Sequence, residues 1–90
     1  LEKVNIANFI EINENTIIDF IKEKNDFKDI FISFNDEYEN QIFAKSAILE
    51  NNNNEIIFNL LNGFKLSYKD SDIEKLQFET YKFKFPNKKK

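Results

Sequence analysis

Residues 27–34 read FKDIFISF and are followed by an Asn-Asp-Glu turn at residues 35–37. Within this stretch Ile30, Ile32 and Phe34 occupy every second position. Apolar residues at period two, closed by a polar turn, are typical of a β-strand with one buried face. The stretch therefore predicts a strand that ends at the turn.

Similar alternating segments lie on both sides of this strand. Residues 41–49 have some helix propensity, but they alternate like their neighbours, and we expect a strand there too. Asn and Asp supply the turns, since the chain has only one Gly and one Pro. The remaining predicted strands cover residues 4–12, 16–23, 56–61, 64–68 and 74–85.

Local turn signals indicate how these strands connect. The four consecutive Asn residues at 51–54 fit a hairpin loop, and Asn62-Gly63 between alternating runs is a strong signal for a second hairpin. The alternation within residues 74–85 changes phase, which indicates a bulge near Thr80. We expect an all-β antiparallel fold of about six or seven strands without a substantial helix, as in a sandwich, a jelly roll or an incompletely closed barrel.

Composition limits the classes of function. Ninety residues suit a single domain over 1–90, and the lack of Met suggests a fragment excised from a larger protein. The formal net charge is −3, and every basic residue is Lys, three of them in the terminal run at 88–90. Without Arg, and with an acidic body, nucleic acid is not an expected partner. Residues 86–90 are expected to form a flexible tail, and no apolar run is long enough to span a bilayer.

The chain offers little for catalysis. It contains no His and no Cys, so neither the usual general base nor a thiolate nucleophile is present. Asp36, Glu37 and Glu39 lie within one turn and lack the spacing and the Gly of a calcium loop. Asp70 and Asp72 flank a Ser in another turn. We interpret both groups as solvated turn residues and expect a non-enzymatic protein without a metal or another cofactor.

The most informative pattern is an apolar face shared by several strands. Such a face is either a closed core or, in a half-open sheet, a surface that an apolar ligand could contact, and burial of each large side chain contributes about 1.5–3 kcal/mol. The candidate lipid-binding residues are Ile30, Ile32, Phe34, Ile42, Ala44, Ile48, Ile56, Phe58, Leu60, Phe64 and Leu66.

The order of four segments resembles a known family. These segments are DIFISFND at residues 29–36, QIFAKSAI at 41–48, EIIFNLLNGF at 55–64 and LQFETY at 76–81. Together they resemble the periplasmic domain of the lipopolysaccharide-export permease family LptF/LptG (YjgP/YjgQ). The likeness covers roughly residues 8–85, although the Pro-Gly turn usual in the family before its first strand is absent here.

The resemblance implies a soluble β-domain of an inner membrane permease. Its fold would be an open jelly roll of the OstA/LptA type on the periplasmic side, stacked edge to edge with similar jelly-roll domains. Acyl chains of lipopolysaccharide or lipooligosaccharide would pass along its apolar interior, and a separate cytoplasmic ATPase would supply the energy through the membrane part. The alternative is a non-catalytic sandwich adaptor with a closed core that pairs with protein partners through its strand edges.

Overall fold

The computed structural model describes residues 6–13, 15–24 and 26–86. They form one antiparallel β-sheet, and none of them lies in a helix. The all-β antiparallel prediction is therefore confirmed, including the assignment of residues 41–49 to a strand. The strands are β1 (Ile6–Asn13), β2 (Thr16–Glu23), β3 (Asp26–Asn35), β4 (Glu39–Asn51), β5 (Glu55–Lys69) and β6 (Asp72–Pro86).

The strand order in the sheet is the order in the chain, β1-β2-β3-β4-β5-β6. Every strand pairs antiparallel with its sequence neighbours, so the sheet is a meander of hairpins. Over the described residues β1 and β6 do not pair with each other. The sheet therefore remains open, with β1 and β6 as its two edges.

Short polar turns join the strands, as the sequence indicates. In the predicted Asn loop, the Asn52 side-chain oxygen accepts hydrogen bonds from the backbone N–H groups of Asn54 at 2.9 Å and Glu55 at 2.6 Å. Lys24 and Asp70 adopt left-handed backbone conformations, with φ of 59° and 50°, at the β2–β3 and β5–β6 turns. Side-chain oxygens and left-handed residues thus form the tight turns that Gly forms in most hairpins.

A line of irregular pairing crosses four strands, and we call it the crease. It consists of Asp29 in β3, Lys45 in β4, Asn62 in β5 and Glu79 in β6. Residues on either side of these four are paired with residues of the neighbouring strands, but the four themselves have no paired residue opposite them. Asp29 and Asn62 have positive φ of 50° and 57°. At the crease the alternation of each strand shifts by one residue. If even-numbered residues of a strand face the core on one side of the crease, odd-numbered residues face it on the other side.

The crease corrects the prediction for Asn62-Gly63. The chain does not turn there, because β5 runs without interruption from residue 55 to 69. Asn62 does adopt the left-handed conformation that a type I′ turn would need, yet it uses this conformation to change the phase of a continuous strand. The predicted segments 56–61 and 64–68 are thus one strand. The phase change predicted near Thr80 is found one residue earlier, at Glu79.

The sheet rolls so that its two ends face each other. The ring centroids of Phe20 in β2 and Phe58 in β5 are 6.2 Å apart, and those of Phe34 in β3 and Phe83 in β6 are 5.5 Å apart. We call the enclosed side the inner face and the opposite side the outer face. The buried apolar residues lie on the inner face and are Ile18, Phe20, Ile30, Ile32, Ile42, Ala44, Ala47, Phe58 and Leu60.

A polar contact ties the core to the β3–β4 turn. Asn40 and Ser67 are buried on the inner face, and the Ser67 hydroxyl donates to the Asn40 side-chain oxygen at 2.7 Å. The Asn40 side-chain amide donates to an Asp36 carboxylate oxygen and to the Tyr38 carbonyl, both at 3.0 Å. Because each buried polar group has a partner, β4 and β5 are held in one register at this end of the sheet.

Two sequence expectations extend past the described residues. Val4 in the first predicted strand and the Lys run at 88–90 lie outside them. Pro86, where the predicted tail begins, is the exposed last residue of β6.

Candidate functional site

Eight of the eleven candidate lipid-binding residues lie together on the inner face. Directly opposed residues of antiparallel strands share a face, so the register assigns each of them. On one side of the crease Ile32 pairs with Ile42, and on the other side Phe58 pairs with Phe83. The inner-face set is Ile30, Ile32, Phe34, Ile42, Ala44, Ile56, Phe58 and Leu60.

The other three candidates do not share that face. Ile48 is 59% exposed, and Phe64 and Leu66 lie on the outer face, where Leu66 pairs with Gln41. For Phe64 and Leu66 the cause is the phase change at Asn62, which turns the odd-numbered residues of the C-terminal half of β5 inward, and for Ile48 it is the phase change at Lys45 in β4. The prediction of one face through residues 56–66 is therefore wrong beyond the crease.

The centre of the inner face is filled by its own side chains. Ile18, Ile32, Ile42 and Leu60 have no exposed surface, and Ile30 is 2% exposed. A ligand cannot reach these side chains without separating the two ends of the roll. The candidate residues at the centre thus belong to the hydrophobic core, and their burial stabilises the sheet.

The inner face is only partly covered along the unpaired edge strand β6, and we call this edge the seam. Along β6, Tyr81, Phe83 and Phe85 alternate with exposed residues and are themselves half-buried. Phe83 lies 5.5 Å from the Phe34 ring and 6.1 Å from the Phe85 ring, measured between centroids. Phe34, Phe83 and Phe85 thus form an apolar strip that reaches from the core to the edge strand, and Tyr81 lies on the same face of β6.

A cation lies on the inner face near this strip. Lys65 pairs across the sheet with buried Ile42 and with Leu76, which is 53% exposed. Its Nζ atom lies 5.7 Å from the centroid of the Phe34 ring and 5.9 Å from that of the Tyr81 ring. A cavity of about 420 Å³ opens beside it. The residues that line this cavity are Lys65, Ser67, Glu74, Lys75 and Leu76.

Two carboxylates that interact with the charge of Lys65, those of Asp36 and Glu74, are also bound by other groups. Asp36 accepts the Tyr38 backbone N–H at 2.8 Å, and this bond, then the one from Asn40, holds the pKa of Asp36 below its usual value. Glu74 forms an ion pair with Lys69 at 2.8 Å, and the hydrogen bond in this pair lowers the pKa of Glu74 and raises that of Lys69. Within the described residues, Lys65 forms no ion pair of its own.

The outer face carries a second aromatic group that the sequence analysis missed. Phe31, Phe43 and Phe64 lie side by side on β3, β4 and β5, with ring centroids 4.9 and 5.0 Å apart. An open groove of about 740 Å³ runs between these rings and the crease residues. Phe31 and Phe43 occupy the positions that alternate with the predicted face on β3 and β4, whereas Phe64 is one of the residues predicted for that face itself. The signal for this group was the presence of Phe on both faces of β3 and β4.

The described residues include no candidate metal site. No group of three or more His, Cys, Asp or Glu side chains in this part of the chain could hold a metal ion. Asp36, Glu37 and Glu39 are exposed in or next to the β3–β4 turn, and Asp70 and Asp72 are exposed at the β5–β6 turn. Their positions fit turn residues in contact with solvent.

Two comparisons of the sequence with known proteins found no match. The sequence matches no model of a protein family and no curated protein. Among residues 6–13, 15–24 and 26–86, no helix is long and apolar enough to cross a membrane.

Proposed function

We propose that this domain binds the acyl chain of a lipid along the seam, as the periplasmic domain of a lipopolysaccharide-export permease of the LptF/LptG (YjgP/YjgQ) type. The observation that carries the proposal is the strip of half-buried rings on the inner face of β6, which continues the core up to an unpaired edge. Apolar surface left uncovered beside a core favours an apolar ligand. The order of the sequence segments that resemble this family supports the same assignment.

In this proposal the fold is an open jelly roll and the domain guides lipid without changing it chemically. The lipid would enter at the seam and contact Phe34, Tyr81, Phe83 and Phe85. It would not pass through the centre of the inner face, because Ile18, Ile32, Ile42 and Leu60 fill it. Related jelly-roll domains would pair with the edges at β1 and β6, and a cytoplasmic ATPase would act through the membrane part.

The alternation along β6 provides a matched test. A photo-crosslinking amino acid is placed at Tyr81 or Phe83, which face inward, and at Lys82 or Lys84, which are exposed on the outer face. The chain is then irradiated with purified lipopolysaccharide. We expect lipid adducts from the two inward positions only. Equal labelling at all four positions, or none at the inward pair, contradicts binding along the seam.

The adaptor function is a second candidate, and the closed centre of the core favours it. Residues with no exposed surface give the roll a stable interior without a ligand. The outer edge of β6, fifteen residues long, offers unpaired backbone groups to a partner strand. If a partner protein protects the β6 amides from hydrogen exchange while lipopolysaccharide does not label Tyr81 or Phe83, the adaptor function is the correct one.

A further inference from the structure

The C-terminal half of β5 reverses the usual distribution of residues between the two faces of a sheet. Beyond the crease its inward positions are Gly63, Lys65 and Ser67, whereas Phe64 and Leu66 point to the outer face. The inner face therefore changes from apolar to polar within one strand. Because the polar section lies next to the strip of rings at the seam, the two together form a surface with an apolar and a cationic end.

Lys65 is the charged group of that polar section. Its ammonium faces the rings of Phe34 and Tyr81 at 5.7 and 5.9 Å and forms no ion pair among the described residues. The two carboxylates that interact with its charge, Asp36 and Glu74, are bound by Asn40 and Lys69. Cation–π contacts offset part of the loss of hydration, but an anion at the same place would interact more strongly. The cavity of about 420 Å³ leaves room for one beside the ammonium.

We infer that Lys65 binds the anionic headgroup of an acyl lipid whose chain lies on the rings of the seam. This inference rests on the proposed function and adds the charge of the ligand and the residue that recognises it. Charge complementarity selects this occupant, because the cavity is lined by the two lysines Lys65 and Lys75 and by one carboxylate, Glu74, which is already paired with Lys69. The apolar strip lies nearby. The headgroup chemistry is that of a phosphate or carboxylate, for which Lys acts as a compact point charge.

Three amphiphiles with the same chain test the inference. Dodecyl phosphate and dodecanoate carry an anionic headgroup, and dodecyl maltoside carries an uncharged one. Binding of each, below the concentration at which it forms micelles, is measured by isothermal titration calorimetry on the unmodified chain and on three variants. Lys65→Met keeps an unbranched apolar side chain without the charge, Lys65→Arg keeps the charge, and Lys82→Met removes a charge from the outer face of β6.

We expect Lys65→Met to bind dodecyl phosphate about tenfold more weakly than the unmodified chain, which is about 1.4 kcal/mol, since the variant loses a hydrogen bond to a charged headgroup. Dodecanoate should lose affinity as well, and the ratio of the two losses distinguishes a phosphate site from a carboxylate site. Dodecyl maltoside should bind equally to both proteins. Lys65→Arg and Lys82→Met should bind all three amphiphiles nearly as the unmodified chain does.

The outcomes separate the inference from the proposed function. If the unmodified chain binds the amphiphiles and Lys65→Met binds dodecyl phosphate equally well, the headgroup site is refuted and lipid binding stands. If the unmodified chain binds none of the three, the proposed function fails and the headgroup site fails with it. If Lys65→Met loses affinity for all three equally, with a lowered urea midpoint, Lys65 acts only in folding and the inference is again refuted.

Discussion

Replacing Gly63 with Ala tests whether the crease depends on close contact between β4 and β5. Gly63 does not have a positive φ, so its backbone conformation is open to Ala. On this ground alone, Gly63→Ala should stabilise the protein by about 0.4–1 kcal/mol, because Ala restricts the unfolded chain. The lack of space around Gly63 predicts the opposite result, a loss of stability.

A Cβ atom at residue 63 would overlap the carbonyl oxygen of Phe43 and lie 2.8 Å from the Ala44 Cα atom. Both neighbours belong to the backbone of β4, a central strand, and cannot rotate away. The two strands must separate at the crease, and overpacking of this kind costs about 1–3 kcal/mol. We expect Gly63→Ala to lose about 1–2 kcal/mol of unfolding free energy after the gain from the unfolded chain is subtracted.

Urea unfolding followed by far-ultraviolet circular dichroism measures this change. For a domain of this size, a loss of 1 kcal/mol lowers the midpoint of thermal unfolding by about 4–8 °C. Asn62→Gly is the matched control, because it changes the adjacent crease residue without adding a Cβ atom and suits the φ of 57°. An unchanged or higher urea midpoint for Gly63→Ala, with the same m-value, would show that β4 and β5 do not approach as closely as described.

Three further substitutions test the core, the turn and the crease. Leu60→Ala should cost about 2–5 kcal/mol of unfolding free energy because it leaves a cavity in the closed core, whereas Leu76→Ala, at a half-exposed position, should change the urea midpoint little. Asp36 has a lowered pKa, so its contribution to stability is present above the ordinary Asp pKa of 3.8 and is lost as the pH falls through the folded value. Asp36→Asn should therefore lower the unfolding midpoint at neutral pH, and the midpoint of this variant should fall less in acid. If the midpoints of the variant and the unmodified chain fall equally with pH, this role of Asp36 is refuted. Asn62→Ala should lose about 1 kcal/mol, since Ala tolerates the left-handed conformation less well than Asn, and an equal midpoint would argue against that conformation.

The fold class could be predicted because strand alternation and turn residues are local properties of the sequence. The period of two in β3 and the Asn loop before β5 both led to the correct elements. The same local signals failed at Asn62-Gly63, since a left-handed Asn followed by Gly serves a hairpin and a phase change equally well. Only the partner strand decides between them, and here β4 continues past the crease and keeps β5 extended.

The strand pattern correctly predicted that eight of the apolar candidates share one face, and it wrongly placed Ile48, Phe64 and Leu66 with them. Contact of these residues with a lipid stays a prediction. Alternation from Ile56 to Leu60 identifies the inner face, but extension to Phe64 and Leu66 assumes one phase that β5 does not keep. The inward direction of Lys65 could not be read from the sequence, because it follows from the phase change at Asn62. The half-buried rings of β6 depend on the open seam, which is a property of the whole sheet.

The meander topology has a consequence for how the chain folds. Every strand pairs only with its neighbours in sequence, so each step of assembly closes a short loop and adds one hairpin to an existing edge. Folds dominated by such contacts form faster than sandwiches whose strands pair at long range. The edge strands β1 and β6 pair on one side only, so they can separate locally while the centre remains folded.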